Sequence, residues 1–105
     1  MSTWISVCSI DELENGQHRV VELDDTDVLV FKLDDQFYAI EDVCSHDGGK
    51  IGGGMCENGE IICPRHGARF CIKTGEVKSP PAYEGVECYA VRIENRTVQI
   101  QNHRD

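Results

Sequence analysis

Short runs rich in Val, Ile, Leu, Phe and Tyr recur along this chain, separated by clusters of Asp, Asn, Gly and Pro, and read as strands. The runs are Trp4–Cys8, His18–Leu23, Val28–Leu33, Phe37–Ile40, Met55–Glu57, Glu60–Cys63, Arg69–Ile72, Val86–Glu94 and Thr97–Gln101. Asp24-Asp25 and Asp34-Asp35 break the second to fourth runs into a meander of hairpins. Asn58-Gly59 is the strongest hairpin signal in the chain, because type I′ turns need positive φ at both central residues. Asn95-Arg96 turns the last hairpin, from Val86–Glu94 to Thr97–Gln101, and Asn102–Asp105 is a tail. Alternation between apolar and polar positions is imperfect, as expected for strands partly buried on both faces. Ser9-Ile10-Asp11-Glu12 matches a capping box and predicts a single helical turn through Leu13, ended by Asn15-Gly16. The pattern predicts an all-β antiparallel sandwich.

Three stretches interrupt the strands. Asp42 to Gly54 is a long glycine-rich loop, and Pro64 to Ala68 is a shorter one, followed by the turn Lys73-Thr74-Gly75. Ser79-Pro80-Pro81 makes a stiff, extended third. The run Asp47-Gly48-Gly49-Lys50-Ile51 looks superficially like a phosphate loop. It has Ile51 where Ser or Thr would be needed, and no helical pattern follows. Glycine here is expected to let backbone approach sulfur closely and donate N–H bonds to it. No internal repeat, linker or low-complexity segment is evident.

The first two loops carry the chemistry. Cys44-Ser45-His46 is followed by sixteen residues and then Cys63-Pro64-Arg65-His66. Each half offers one thiolate and one imidazole, ligands preferred by zinc, copper and iron. A Cys-x-His pair is too closely spaced for one helical face, so it belongs in a sharp loop. Zinc sites with two cysteines and two histidines usually present both cysteines first and then both histidines. The order here is Cys-His, Cys-His, which lets two thiolates take one metal and two imidazoles another, as in a [2Fe-2S] centre with mixed ligands. A tetrahedral zinc remains the alternative reading of these residues.

At this point the sequence resembles the Rieske ferredoxins. Their pattern is matched at Cys44, His46, Cys63 and His66, and the likeness extends to His66-Gly67, Thr74-Gly75 and Ser79-Pro80-Pro81, over nearly the whole length. The resemblance implies a Rieske-type antiparallel β-sandwich: one domain over residues 1–105, with an inserted cluster-binding subdomain of two ligand loops at about 42–82. It implies one Rieske [2Fe-2S] cluster, with Cys44 and Cys63 on the inner iron and His46 and His66 on the outer, and the third loop packed over it. In the high-potential branch of the family, each ligand loop carries an extra cysteine and the two form a disulfide. Here those positions are Gly49 and Arg65, so no such bridge can form. The same branch has Ser and Tyr hydroxyls donating to sulfur where this chain has Ala68 and Phe70. Without those donors the reduced, more negative state is less stabilised, and the expected potential is near the low end of the range, about −150 mV.

Composition narrows the setting. Nineteen acidic against ten basic residues give a net charge of −9, which disfavours nucleic acid and anionic membranes as partners. No apolar run of about eighteen residues is present and the N-terminus lacks a secretory signal, so a cytoplasmic, soluble protein is expected. Of the six cysteines, Cys8 and Cys88 lie in strand-like runs and are expected to be small buried apolar residues. Cys56 and Cys71 are expected to be reduced thiols. His18 and His103 are expected at the surface. Arg65 and Lys50 are candidate docking charges, or simply solvated.

Two ferric ions, two sulfides and two thiolates sum to zero charge with neutral imidazoles, so an electron is accepted more readily than by a four-thiolate cluster. With every protein position taken by ligation, the expected function is one-electron transfer without independent catalysis. The resemblance implies a flavin-dependent NAD(P)H reductase as donor and a terminal non-haem iron oxygenase as acceptor; the short, charged strands offer no obvious dimer surface, so a monomer is expected. The alternatives are a zinc-stabilised interaction module and a Rieske-like small subunit of a nitrite reductase.

Overall fold

The computed structural model describes residues 3–23, 26–45 and 47–102. Eleven strands are found among them and no helix: β1 (Thr3–Ser9), β2 (His18–Glu22), β3 (Asp27–Leu33), β4 (Gln36–Glu41), β5 (Cys56–Glu57), β6 (Glu60–Ile62), β7 (Arg69–Cys71), β8 (Val77–Ser79), β9 (Cys88–Tyr89), β10 (Val91–Glu94) and β11 (Thr97–Asn102). They form three antiparallel sheets, ordered β1-β11-β10, β2-β3-β4-β9 and β5-β6-β7-β8. No helix among the described residues is long and apolar enough to cross a membrane.

Strand β3 explains why alternation fails as a signal in the middle of the chain. Val28, Leu29, Val30 and Phe31 are all fully buried. Leu29 and Phe31 join Ile40, Ile51, Ile61, Phe70 and Ile72 in one core, whereas Val28 and Val30 join Cys8, Ala39, Val98 and Ile100 in the other. Successive side chains of a strand point to opposite faces, so the β2-β3-β4-β9 sheet lies between the other two. One face packs on the sheet of the chain termini, the other on the small sheet of the ligand loops.

The hairpin turns carry the backbone their residues allow. Asp34 and Asp35 have φ of 49° and 65°, Asn58 and Gly59 of 53° and 78°, and Asn95 and Arg96 of 51° and 64°. These are left-handed pairs, matched to the twist of two-residue hairpins. Asp24 and Asp25 lie outside the described residues, as do His103, Arg104 and Asp105 of the expected tail.

Three expectations are corrected. The capping box forms only a turn: the Ser9 N–H donates to the Glu12 carboxylate at 2.7 Å and the Glu12 N–H to the Ser9 carbonyl at 3.0 Å, with no helix beyond. One turn is too short to nucleate alone, and the Ile10 N–H goes instead to the Arg96 carbonyl. The run from Val86 to Glu94 is two strands: β9 pairs with β4, while β10 pairs with β11 in a different sheet. Periodicity cannot register a change of partner. Finally, Val77–Ser79 is β8 and pairs with β7 ahead of a cis Pro80-Pro81 bond, so Ser79, expected to open the third loop, ends a strand that the sequence reading did not assign.

Candidate metal centre

Both ligand loops leave the ends of strands and fold by one local rule. In the first, the Cys44 N–H donates to the Gly49 carbonyl and the Gly48 N–H donates back to the Cys44 carbonyl, both at 2.7 Å. In the second, the Cys63 N–H donates to the Ala68 carbonyl at 2.7 Å and the Gly67 N–H to the Cys63 carbonyl at 3.0 Å. The closing glycines, Gly48 and Gly67, have φ of 76° and 80°, a region that side chains disfavour. The rule recurs at Cys71, whose N–H donates to the Glu76 carbonyl while the N–H of Gly75 (φ 79°) donates to the Cys71 carbonyl. The underlying pattern, Cys-x-x-x-Gly, occurs at all three cysteines and is a short local repeat that the reading by strands passed over.

The loop roots are inside and the tips outside. Cys44 and Cys63 are 0% and 1% exposed and belong to the same core as Leu29, Ile51, Phe70 and Ala82. Their thiols lie within hydrogen-bonding reach of each other. Burial pushes the Cys63 thiol up, but the N–H groups of Arg65 and His66, the Cys44 thiol and the Arg65 charge outweigh it, leaving the thiol below its ordinary value. An N–H aimed at sulfur favours the thiolate, the form that binds metal. The His66 side chain is 52% exposed, with Nδ1 3.6 Å from Asp47 Oδ2. His46 lies outside the described residues. Among those that are described, no three His, Cys, Asp or Glu side chains form a group able to hold a metal ion. What is brought together is the thiol pair, with one exposed imidazole three residues beyond it. That donor set, two thiols inside and imidazole towards solvent, fits a cluster whose two metals differ in ligand type.

Two residues that sequence reasoning passed over shape the first loop. Asp42, 7% exposed, accepts the N–H groups of Ile51 and Gly52 at 2.8 and 2.9 Å through a single oxygen, Oδ1. Gly52 therefore donates to a carboxylate and not, as expected of the loop glycines, to sulfur. A Cβ on Gly54 would fall 1.8 Å from the Ile62 carbonyl oxygen, so this glycine is required by close backbone approach just before Cys63. Asp47 takes the Arg65 guanidinium, with Nε 2.6 Å from Oδ2 and Nη2 2.9 Å from Oδ1. Only the opposite charges in the two loops hinted at that contact. The third loop packs beside the first. The Ser45 hydroxyl donates to the Glu84 carbonyl, and Ser45, Pro81, Tyr83 and Glu84 line an open cleft of about 280 Å³.

Other expectations sort as follows. Lys50 and Arg65 are not free charges, since Lys50 pairs with Asp27 and Arg65 with Asp47. Cys8 is buried, but Cys88 is exposed, because the short β9 turns it outward while Tyr89 faces the core. No disulfide joins any of the six cysteines. His18 is half-buried, its ring 5.2 Å from that of Phe31, and not a simple surface residue. His103 lies outside the described residues.

Comparison with known proteins bears on this geometry directly. Residues 3–90 match the model of the Rieske [2Fe-2S] domain. The chain is 36% identical over 103 residues to the biphenyl dioxygenase ferredoxin subunit of Pseudomonas sp. (strain KKS102), covering 97% of this chain and 94% of that one. The ferredoxin of carbazole 1,9a-dioxygenase from Nocardioides aromaticivorans IC177 superposes with a TM-score of 0.88 at 29% identity, covering 93% of this chain and 96% of the other. A chain in the complex of reduced oxygenase and oxidized ferredoxin in carbazole 1,9a-dioxygenase gives the same TM-score at 30% identity, with 92% and 91% covered. These relatives are ferredoxin components, electron carriers and not catalytic subunits. The buried thiol pair, the outward imidazole and these likenesses agree: the chain belongs to the Rieske [2Fe-2S] domain family, a group of proteins holding a cluster of that type.

Proposed function

We propose that this protein is a one-electron carrier that takes electrons from a flavin-dependent NAD(P)H reductase and passes them to a terminal non-haem iron oxygenase. Cys44 and Cys63 would hold one iron of a [2Fe-2S] cluster, and His46 and His66 the other. The group supplies reversible one-electron chemistry at a potential set by its mixed ligands. The chain's own residues do the rest. Cys44 and Cys63 anchor the site in the core shared with Leu29 and Phe70, keeping water from the sulfur side. N–H groups of Arg65 and His66 favour the anionic form of the Cys63 sulfur. His66 stands towards solvent, and the exposed Tyr83 lies on the loop beside Ser45. That end is where an acceptor would approach, since it offers the shortest path to the site.

The observation that carries this reading is the pair of fully buried thiols within reach of each other, one from each loop, with an exposed histidine three residues beyond Cys63. The unit would be one domain with a cluster-binding subdomain at about residues 42–82, working as a cytoplasmic monomer. Protein purified anaerobically should contain two irons and two acid-labile sulfides per chain. Reduction with dithionite should give the electron-paramagnetic spectrum of a mixed-ligand [2Fe-2S] centre. One zinc and no sulfide would overturn the electron-carrier reading. Turnover of a terminal oxygenase supplied with reductase and NADH should then depend on the carrier. If the centre is present and no oxygenase accepts its electrons, the assignment of the partner fails alone.

A further inference from the structure

Arg65 lies in the second ligand loop, between Cys63 and His66, yet among the described residues its side chain makes its hydrogen bonds to the first loop. Nε and Nη2 grip the two carboxylate oxygens of Asp47 at 2.6 and 2.9 Å, and Nη1 donates to the Lys50 carbonyl at 2.7 Å. The Asp47 carboxylate is itself held by the Gly49 N–H at 2.9 Å. One guanidinium thus takes hold of the first loop on both sides of Gly49. A Cβ at Gly49 would lie 2.7 Å from Arg65 Cζ and Nη2, so the absent side chain is the space the guanidinium occupies. The pair is only partly exposed, 37% for the Arg65 side chain and 24% for Asp47. Isolated surface ion pairs contribute little, but two-pronged arginine–carboxylate geometry is the exception.

Gly49 and Arg65 stand at the two positions where, as the resemblance implies, the high-potential branch of the family carries its bridged cysteines. We infer that Arg65 is a positioning residue: it locks the two ligand loops together across the outside of the site, a non-covalent tie in place of a covalent one, and so governs how firmly the site keeps its metal group. This rests on the reading of Cys44, His46, Cys63 and His66 as ligands. A tie of this kind withstands thiol reductants and yields to salt, the reverse of a disulfide.

The test uses the intact, cluster-loaded chain and three variants, Arg65→Gln, Arg65→Lys and Asp47→Asn. The rate at which an iron chelator bleaches the visible absorbance is read at low and high salt, alongside the voltammetric midpoint. Iron, sulfide and the reduced-state spectrum of the unaltered protein come first, and a site that holds no [2Fe-2S] cluster shows there. If the tie is real, all three variants lose the cluster about three- to tenfold faster at low salt. High salt speeds loss from the unaltered protein and leaves the variants nearly unchanged. The midpoint follows charge instead: down in Arg65→Gln, up in Asp47→Asn, little moved in Arg65→Lys, because a positive charge nearby favours the reduced state. Unchanged loss rates, or rates that move in opposite directions with the charge of the variant, overturn the inference. A variant that misfolds leaves the salt response of the unaltered protein and Arg65→Lys to decide.

Discussion

Single residues decide whether the first ligand loop holds its shape, and Asp42 is the clearest case. One carboxylate oxygen receives two N–H groups in a nearly water-free place. Asp42→Ala strands both donors and should cost about 2–4 kcal/mol in denaturant unfolding, whereas Asp42→Asn keeps the accepting oxygen and should cost about 1 kcal/mol. Equal costs would mean that the charge, and not the two acceptor contacts, organises the loop. Cys71 gives a second test. Burial opposes its thiolate, but the Thr74 hydroxyl and the N–H groups of Lys73 and Thr74 outweigh that and hold the thiol below its ordinary value. A lowered thiol value means the folded state favours the thiolate, so this stabilisation is present at alkaline pH and fades as pH falls through the folded value. Thr74→Val removes the hydroxyl, and the pH midpoint of Cys71 alkylation, followed by mass spectrometry, should move up. Neither role was visible in the sequence. An aspartate before a loop and a cysteine before a turn have many possible partners, and only the folded chain selects among them.

At the scale of elements, β3 is the plane on which the two cores meet. Leu29 and Val30 are neighbours in sequence and face opposite ways, Leu29 towards Cys44 and Cys63, Val30 towards Val98 and Ile100. Leu29→Ala should cost about 2–5 kcal/mol and also speed cluster loss, because the cavity opens in the core that anchors the thiols. Val30→Ala should cost about 2 kcal/mol with little effect on cluster retention. Chemical unfolding and the bleaching rate, measured on both variants, separate the two faces. The strands of this region were legible in the sequence because β-branched and aromatic runs between turn residues have few other uses in so short a chain. Asn58-Gly59 was legible for a stronger reason, since its residues adopt the left-handed backbone that a tight hairpin needs. Strand β8 was not. Three residues beside two prolines carry no period, and their pairing with β7 is a tertiary event.

For the whole molecule, the division into two cores predicts an uneven response to loss of the metal group. Cys44 and Cys63 are part of one core and absent from the other. A centre tying two loops adds its binding free energy to the folding of the part it ties. Removal by chelator should therefore raise amide exchange strongly across residues 42–82 while β1, β10 and β11 keep their protection. Exchange followed by mass spectrometry would reveal it, and uniform loss of protection would show that the two cores fold as one unit. The types, order and spacing of the proposed ligands, the all-β class and the hairpin turns at Asp34-Asp35, Asn58-Gly59 and Asn95-Arg96 were legible in sequence alone, because each depends on side-chain chemistry or backbone preference acting over a few residues. Tertiary structure alone decided that Val86–Glu94 divides between two sheets, that Arg65 and Lys50 are paired, and that Asp42 and Asp47 shape the first loop. Those outcomes depend on which distant groups share a space once the chain has closed, and local pattern holds no record of that.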